Sequence, residues 1–450
     1  MLEGPILLLI LAGAIVFIIL STSILKLHPF FSLILATFGV GLLIRMPLQT
    51  IITTVNNGFG GMMGYIGLVI VFGTIIGTIL ENSGATIKIA DVVLNSIGKK
   101  RPTLSMSLIG AIISIPVFCD SGFVILSSLN KAVAKRARVS LASMTVALSS
   151  GLYATHTLVP PTPGPIAAAG NIGASDYLGT VIWIGLITAI PAILVGYWWA
   201  LRIKSMTISD EDNHAGLDAS LPEGDPLPSA FKSFAPILLP VILIAGASIA
   251  KFLEWTGDIA GVVLFVGNPL VALLVGVLLS LALLPEFDEE HLNNWIGKGI
   301  LRAGPILLIT AAGGAFGSVL KATPLTELIT GVVDNSHVSG SVFLLIAFFI
   351  AAALKTSQGS STAALVITSS LLAPLLPVLN MNTPTELALV VMAIGGGAMI
   401  VSHVNDSYFW VVTQFSGLKL NDAYRSFTLV TLWQGCTVLV TTLILYSLLV

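Results

Sequence analysis

Charged residues are scarce in this 450-residue sequence, where Asp, Glu, Lys and Arg together make up 9%. Soluble domains carry about 25% charged residues, so an ordinary soluble protein is excluded. The charges nearly cancel, with 20 Lys and Arg against 22 Asp and Glu and a formal net charge of −2. Because nucleic-acid binding needs a surplus of basic residues, nucleic-acid partners are excluded as well.

Cysteine is equally rare, since the chain contains only Cys119 and Cys436, each inside an apolar stretch. These two residues form neither a disulfide framework nor a Cys-x-x-Cys metal motif. In place of charge and cysteine the chain has apolar residues, at 55% of its length, and a mean hydropathy of +0.99. The composition predicts an all-α polytopic membrane protein with no metal and no cofactor.

Apolar runs recur at the length needed to cross a membrane, which is about 20 residues for a hydrocarbon core of roughly 30 Å. The first run has no small-residue cleavage site behind it, so we expect a retained span and not a signal peptide. Segment 286–302 is amphipathic, which predicts a separate helix at the membrane interface. The runs lie on both sides of a polar stretch, at 5–25, 30–43, 64–80, 104–129, 141–159, 177–201, 234–249, 262–284, 303–320, 342–379, 387–404 and 427–450.

The two halves share motifs in the same order. GTIIGTILENSGATIKIADVVLNS at 73–96 matches GGAFGSVLKATPLTELITGVVDNS at 313–336, and GLYATHTLV matches AMIVSHVND further along. Duplicated halves are typical of secondary transporters. We therefore predict a first repeat at 1–201, a polar cytoplasmic linker at 202–232 and a second repeat at 233–450.

Basic residues set the predicted topology. The run 104–129 is flanked by basic clusters at 99–101 and 131–138, and the positive-inside rule places both clusters in the cytoplasm. A re-entrant hairpin satisfies that requirement, and the run 342–379 is likewise too long for one span. Each half is therefore predicted as five spans plus one re-entrant hairpin, with broken helices. An odd number of crossings inverts the second repeat and places both termini outside.

The centre of the first predicted hairpin carries Phe118-Cys119-Asp120-Ser121-Gly122. An unwound tip would present the amides of Ser121 and Gly122 to a substrate carboxylate. Asp120 is predicted to accept a proton, because burial disfavours the charged form of a carboxyl group. Its alternative role is to cap the following half-helix. The cost of an acid at membrane depth favours the functional interpretation.

The centre of the second predicted hairpin places one cation, Lys355, among hydroxyl and amide groups. Lys355 offers a point charge to a carboxylate, and its neighbours offer hydrogen bonds to a polyhydroxy chain. Such a group inside an apolar run indicates a polar cavity. The predicted substrate-binding neighbours are Thr356, Ser357, Gln358, Gly359, Ser360, Ser361 and Thr362.

Two further helix breaks carry histidine. Four prolines at 160–165 cannot continue a helix, and the segment 402–407 is their counterpart in the second half. A lone membrane histidine is often structural, but its presence beside a break in both halves favours function. Asp406 is a second candidate for proton coupling, and we expect partial hydration there because it lies near a span end. The predicted substrate-binding residues at these breaks are His156, Thr162, His403 and Asn405.

Five motifs resemble those of the gluconate permease family of proton symporters, within the ion transporter superfamily. They are FCDSGFVIL, ATHTLVPPTPGP, GNP at 267–269, QGSSTAA and SHVNDSYFW. The resemblance covers nearly the full length and implies import of gluconate or a related sugar acid together with protons. It also implies a multi-pass protein of the inner membrane. A homodimer is implied as well, in which a scaffold holds a mobile transport domain, so that alternating access is of the elevator type.

Three positions depart from the pattern of this family. Asp120-Ser121-Gly122 stands where many relatives have Glu-Val-Gly, Thr162 where they often have His, and Lys355 where several have Arg. A point charge thus replaces a planar, bidentate grip on a carboxylate. The expected substrates therefore extend from aldonates to shorter hydroxy acids such as glycerate.

Two other function classes fit part of the pattern. A cation/proton antiporter shares inverted repeats and buried acids, but it usually needs two or more acids at the ion site. An intramembrane hydrolase using Ser121 and His156 would need a single catalytic geometry, and duplication of the site argues against it. The sequence predicts a secondary transporter and not an enzyme. Its expected partners are a small anionic substrate, protons and the lipid bilayer.

Overall fold

The structure is a computed structural model that describes residues 5–97, 101–203, 227–285, 288–323, 340–404 and 406–450. Within these ranges every regular element is helical and no strand occurs. The polar segment 204–226, which contains most of the predicted linker, lies outside the described residues.

Nine α-helices precede the polar segment and ten follow it among the described residues. The first nine are α1 (Pro5–Ser23), α2 (Pro29–Leu43), α3 (Leu48–Asn82), α4 (Ala85–Ile97), α5 (Pro102–Ile113), α6 (Cys119–Ala137), α7 (Leu141–Leu158), α8 (Pro163–Asn171) and α9 (Leu178–Arg202). The others are α10 (Ala230–Phe252), α11 (Asp258–Val266), α12 (Pro269–Leu281), α13 (Glu289–Lys321), α14 (Gly340–Gln358), α15 (Ser361–Leu372), α16 (Pro384–Met399), α17 (Ser407–Ser416), α18 (Leu420–Ala423) and α19 (Leu429–Leu449).

Several of these helices meet the length and composition of a membrane span. Two bent pairs meet the same criteria when each pair is taken together: α3 bends by 44° between Tyr65 and Gly67, and α11 meets α12 at 62°. The apolar run at 262–284 is therefore divided between two helices, α11 and α12. Asn268 accepts a hydrogen bond from the Leu270 N–H and so caps α12, which begins at Pro269. The described helices that qualify without a bend are Ser175–Arg202, Ala230–Lys251, Leu292–Lys321 and Leu420–Leu449.

The predicted helix interruptions are present, but one differs in position. The break between α5 and α6 covers 114–118, so Cys119 begins α6 and Phe118 is its N-cap. Asp120, Ser121 and Gly122 therefore lie in the first turn of a helix and not in an unwound tip. The break between α14 and α15 contains Gly359, whose φ of 84° favours glycine.

The remaining interruptions separate α7 from α8 and α16 from α17. Proline explains the first of these breaks, because each proline removes a backbone donor and fixes its φ. The second break covers 400–406, where Val401 has a φ of 51°. The polar motifs of the sequence thus lie at or beside the ends of interrupted helices.

The long helix α3 packs along α13 and contacts two of the broken segments. A Cβ atom added at Gly77 would collide with the carbonyl oxygen of Pro116, and one at Gly73 would lie 2.8 Å from that of Pro161. These two glycines are one helical turn apart and face the same side. Close backbone approach at α3 therefore holds both breaks in place.

The predicted interfacial helix at 286–302 is wrong. Helix α13 runs without interruption from Glu289 to Lys321. Trp295 on its first half is 9% exposed, and Gly299 lets the helix approach Ile75 of α3. The amphipathic pattern arises because one face of this extension packs against the protein core.

Candidate substrate and proton site

A buried ion pair joins the two helix breaks of the second half. Lys355 lies in the last turn of α14, and its Nζ atom is 2.5 Å from Asp406 Oδ2. The same Nζ donates to the carbonyl oxygen of Gly359 at 2.7 Å. The Lys355 side chain is fully enclosed. A cation at this depth requires a negative partner, and the structure supplies Asp406.

Asp406 is the N-cap of α17 and accepts three hydrogen bonds. Oδ2 accepts from Lys355 and from Ser402 Oγ at 2.5 Å, and Oδ1 accepts from the Tyr408 N–H at 3.0 Å. The residue is 3% exposed, so the predicted partial hydration is wrong. Ser402 belongs to the predicted segment 402–407 but was not among the predicted binding residues, and the structure shows it bonded to Asp406.

Asp120, in the first turn of α6, is an electrostatic neighbour of this ion pair. Its Oδ2 accepts from Ser407 Oγ at 3.2 Å, and its Oδ1 lies 3.9 Å from the thiol sulfur of Cys119. Ser407 follows Asp406 in the chain, so the two acids are electrostatic neighbours. Asp120 does not cap α6, because the N-cap is Phe118 and makes no side-chain capping bond.

The backbone of the α6 first turn is less available than predicted. The Gly122 N–H donates to the carbonyl oxygen of Phe118 at 2.9 Å, so it is not free for a substrate carboxylate. Ser121 is half-buried beside Asp120. The predicted use of the Gly122 amide for a substrate carboxylate therefore does not fit this geometry.

Two tyrosines that the sequence argument missed form the wall of the site. Tyr153 OH lies 2.7 Å from Ser361 Oγ, and the Tyr153 ring centroid is 5.8 Å from Lys355 Nζ. Tyr408 OH donates to the carbonyl oxygen of Ser149 at 2.9 Å. The two rings pack 5.3 Å apart. Both tyrosines could have been found from their positions beside predicted helix breaks. Tyr153 precedes His156 by one turn, and Tyr408 follows the segment 402–407.

Two of the predicted residues carry buried polar atoms without a hydrogen-bond partner in the described structure. Both amide atoms of Gln358 are enclosed and unpartnered, and so is Nδ1 of His156. Buried polar groups are nearly always satisfied in native proteins. The Gln358 amide and His156 Nδ1 are therefore able to form further hydrogen bonds. His403 differs, because its Nε2 lies 2.9 Å from the carbonyl oxygen of Thr356.

Other predicted hydroxyls already have partners inside the protein. Thr162 Oγ1 donates to the carbonyl oxygen of Val159 at 2.6 Å, and Ser360 Oγ caps α15 by accepting from the Ala363 N–H. Thr362 lies against Gly164 of α8. Asn405 lies outside the described residues, as does the side chain of Ser357.

A second charged pair lies at the contact between α3 and α13. Arg302 Nη1 donates to Glu81 Oε2 and, at 3.4 Å, to Thr78 Oγ1. The Glu81 side chain is only 6% exposed. A carboxylate enclosed to this degree requires a cationic partner, and Arg302 supplies it. In the described part of the chain, no three His, Cys, Asp or Glu side chains form a metal site.

Long apolar helices, interrupted helices and a buried charged site define a polytopic membrane transporter. The fold is similar to that of the YdaH transporter of Alcanivorax borkumensis, with a TM-score of 0.62 and 15% sequence identity. That similarity covers 89% of this chain and 88% of the other. Residues 6–449 match the model of the GntP family permease. The chain belongs to the GntP permease family.

Curated relatives extend the comparison over most of the chain. A gluconate permease of Pseudomonas aeruginosa is 32% identical over 416 residues, covering 90% of this chain and 89% of the relative. The D-serine transporter DsdX of Escherichia coli K12 is 30% identical, covering 96% of both chains. The inner membrane permease YgbN of the same strain is 30% identical, covering 95% of both. The protein is a transporter and not an enzyme.

Proposed function

We propose that this permease imports a small hydroxylated carboxylate, such as gluconate or a related sugar acid, by proton symport. The observation that carries the proposal is the enclosed Lys355 ammonium. Gln358 follows it by three residues, His156 is its electrostatic neighbour, and both residues carry unpartnered polar atoms. The cation suits a carboxylate, and the unpartnered amide and imidazole atoms suit hydroxyl groups. Relatives that transport gluconate or D-serine support this substrate class, because both molecules combine a carboxylate with at least one hydroxyl.

The two candidates for proton coupling in this proposal are Asp120 and Asp406, which are electrostatic neighbours of each other and of the Lys355 cation. A buried carboxylate and its protonated form differ by a full charge in a site of low polarity. Protonation therefore changes how well the site accepts an anion. That difference between two states is what a symporter needs.

The proposed architecture is two inverted repeats, 1–201 and 233–450, joined by a cytoplasmic linker at 202–232. The same succession of helices supports it, because α5–α6 and α14–α15 are both interrupted pairs followed by a broken helix. Each interrupted pair is proposed as a re-entrant hairpin in a homodimeric, multi-pass inner membrane protein. An elevator movement would carry the two hairpins and the broken helices past α3 and α13.

A cation/proton antiporter is the alternative function. The neighbouring carboxylates of Asp120 and Asp406 are the observation that favours it. Lys355 argues against it, because its ammonium already occupies the position beside Asp406 that a transported cation would need. The anion symporter accounts for all three charges, so we favour it.

Equilibrium binding to the purified protein tests the substrate class. The panel contains gluconate, glycerate and D-serine, together with sorbitol, which has the hydroxyls and no carboxylate. We expect binding of at least one carboxylate and no binding of sorbitol. Lys355→Ala should lose that binding, whereas the control Lys88→Ala, at a surface pair with Asp91, should keep it. Equal binding of sorbitol and gluconate would contradict the proposal.

A further inference from the structure

Lys355 and Asp406 are each other's charge partner in the structure. The lysine also donates to the carbonyl oxygen of Gly359, and the aspartate accepts from Ser402 and Tyr408 as well. Because the Lys355 ammonium is fully enclosed and already bonded to oxygens of Gly359 and Asp406, an incoming carboxylate competes with Asp406 for the same positive charge.

When a substrate carboxylate takes the place of Asp406 beside Lys355, the ionised form of Asp406 becomes energetically unfavourable. The residue is almost fully buried, and an ionised carboxylate without its counter-ion is strongly destabilised in such a place. Asp120 lies nearby and adds like-charge repulsion. Uptake of a proton by Asp406 removes both penalties at once.

We propose that the substrate carboxylate and the Asp406 carboxylate are alternative partners of Lys355, so that Asp406 takes up one proton from the solution for each monoanion that binds. This inference rests on the proposed function and names its coupling step. Binding of the anion and protonation of Asp406 cancel in charge. Transport is therefore electroneutral, with one proton carried for each monoanion, and it responds to a pH gradient but not to a membrane potential.

The local hydrogen bonds suit a neutral Asp406. Its protonated oxygen can donate to Ser402 Oγ, because a hydroxyl both donates and accepts. The other oxygen continues to accept the hydrogen bond from the Tyr408 N–H, so Asp406 still caps α17. The break between α16 and α17 thus stays intact in both protonation states.

Asp120 is less suited to this step. It accepts from the neutral hydroxyl of Ser407, so a change of partner at Lys355 leaves its hydrogen bonds in place. The titratable and charged groups that interact with Asp406 from the helices around it are Lys355, Asp120, Cys119, Tyr153, His156 and Tyr408. Among these, Lys355 alone forms an ion pair with Asp406 in the described structure.

Asp406→Asn tests the inference in proteoliposomes. The variant cannot carry the proton, so it should lose accumulation driven by a pH gradient while it still exchanges labelled for unlabelled substrate. Wild-type affinity should fall about tenfold per pH unit above the transition, as expected for one linked proton, whereas the affinity of Asp406→Asn should change less than twofold. The control Asp91→Asn, at an exposed carboxylate, should accumulate substrate normally.

The wild-type protein supplies a second test that needs no variant. A pH-sensitive dye in weakly buffered solution should report uptake of one proton for each monoanion bound. A potassium diffusion potential at equal pH should produce no accumulation. Accumulation by Asp406→Asn, or voltage-driven accumulation by the wild type, would overturn the exchange at Lys355. If the wild type neither binds nor transports any carboxylate of the panel, the proposed function itself fails.

Discussion

Tyr153 OH and Ser361 Oγ lie 2.7 Å apart, which joins α7 of the first half to the start of α15 in the second. The contact lies beside the Lys355 ammonium, which is 5.8 Å from the Tyr153 ring centroid. Because both hydroxyls are buried, the bond holds the tip of the second interrupted pair against α7. The contact thus links the start of α15 to α7, while Gly359 and Asp406 bind Lys355 directly.

Tyr153→Phe should weaken that connection without opening a cavity. Loss of one buried hydrogen bond typically costs about 0.5–1.5 kcal/mol, so thermal unfolding in detergent should show a slightly lower midpoint. Ser361→Ala should have a similar effect, and the double variant should cost less than the sum of the two. The control Tyr177→Phe removes a more exposed hydroxyl and should leave the midpoint unchanged. Strictly additive losses would contradict a direct Tyr153–Ser361 bond.

Helix interruptions could be predicted from the sequence because their causes are local. Pro160, Pro161 and Pro163 cannot continue a helix, and Gly359 provides the positive φ at the second tip. Polar residues inside long apolar runs indicated where the site would lie. The position of the first break was predicted less well, because Asp120 and Ser121 are compatible with either a tip or a first helical turn.

Tertiary pairings could not be predicted in the same way. Lys355 and Asp406 are 51 residues apart. No local sequence signal shows that the Asp406 carboxylate both caps α17 and neutralises the charge of Lys355. The pair between Glu81 and Arg302 joins residues 221 apart. The first turns of α13 are buried because Gly299 fits closely against α3. An amphipathic pattern alone does not tell such a packed helix from one that lies at the membrane interface.

Lys355→Ala and Lys355→Arg should separate charge from geometry. Removing one partner of a desolvated charge pair typically costs about 2–5 kcal/mol, so Lys355→Ala should abolish measurable binding of a carboxylate. Arginine keeps the charge and should retain part of the affinity. Calorimetric titration with the preferred carboxylate measures both. Unchanged affinity in Lys355→Ala would move the carboxylate site elsewhere.

Asp120→Asn should alter the site without uncoupling it. The asparagine amide oxygen can still accept from Ser407, and the loss of a negative charge should favour binding of an anion. We expect tighter binding and preserved accumulation under a pH gradient, measured by uptake into proteoliposomes. Loss of accumulation with retained exchange in this variant, together with normal accumulation by Asp406→Asn, would assign the proton to Asp120.

Arg302→Ala should destabilise the contact between α3 and α13. It leaves the buried Glu81 carboxylate without its donor, which typically costs about 1–3 kcal/mol. Glu81→Gln combined with Arg302→Gln should restore part of the loss, because no charge is then left unpaired. Thermal unfolding in detergent reports both effects. A larger loss in the double variant than in Arg302→Ala would contradict a stabilising ion pair.

Thiol labelling tests the proposed re-entrant hairpin of α5 and α6. Arg101→Cys and Lys135→Cys are placed singly in a background lacking Cys119 and Cys436. Both positions are exposed, and both should resist an impermeant thiol reagent in intact cells because they face the cytoplasm. Both should react after the cells are opened. Labelling of only one of them from outside would show that the segment crosses the membrane.

Uptake of a labelled hydroxy acid into proteoliposomes tests the central claim, proton symport of an anion through the Lys355 site, most directly. A pH gradient, acidic outside, is imposed as the only driving force, and wild type is compared with Lys355→Ala and Lys88→Ala. The account predicts accumulation above the external concentration by wild type and Lys88→Ala, none by Lys355→Ala, and collapse when a protonophore dissipates the gradient. Accumulation that is indifferent to the pH gradient, or that persists in Lys355→Ala, would contradict it.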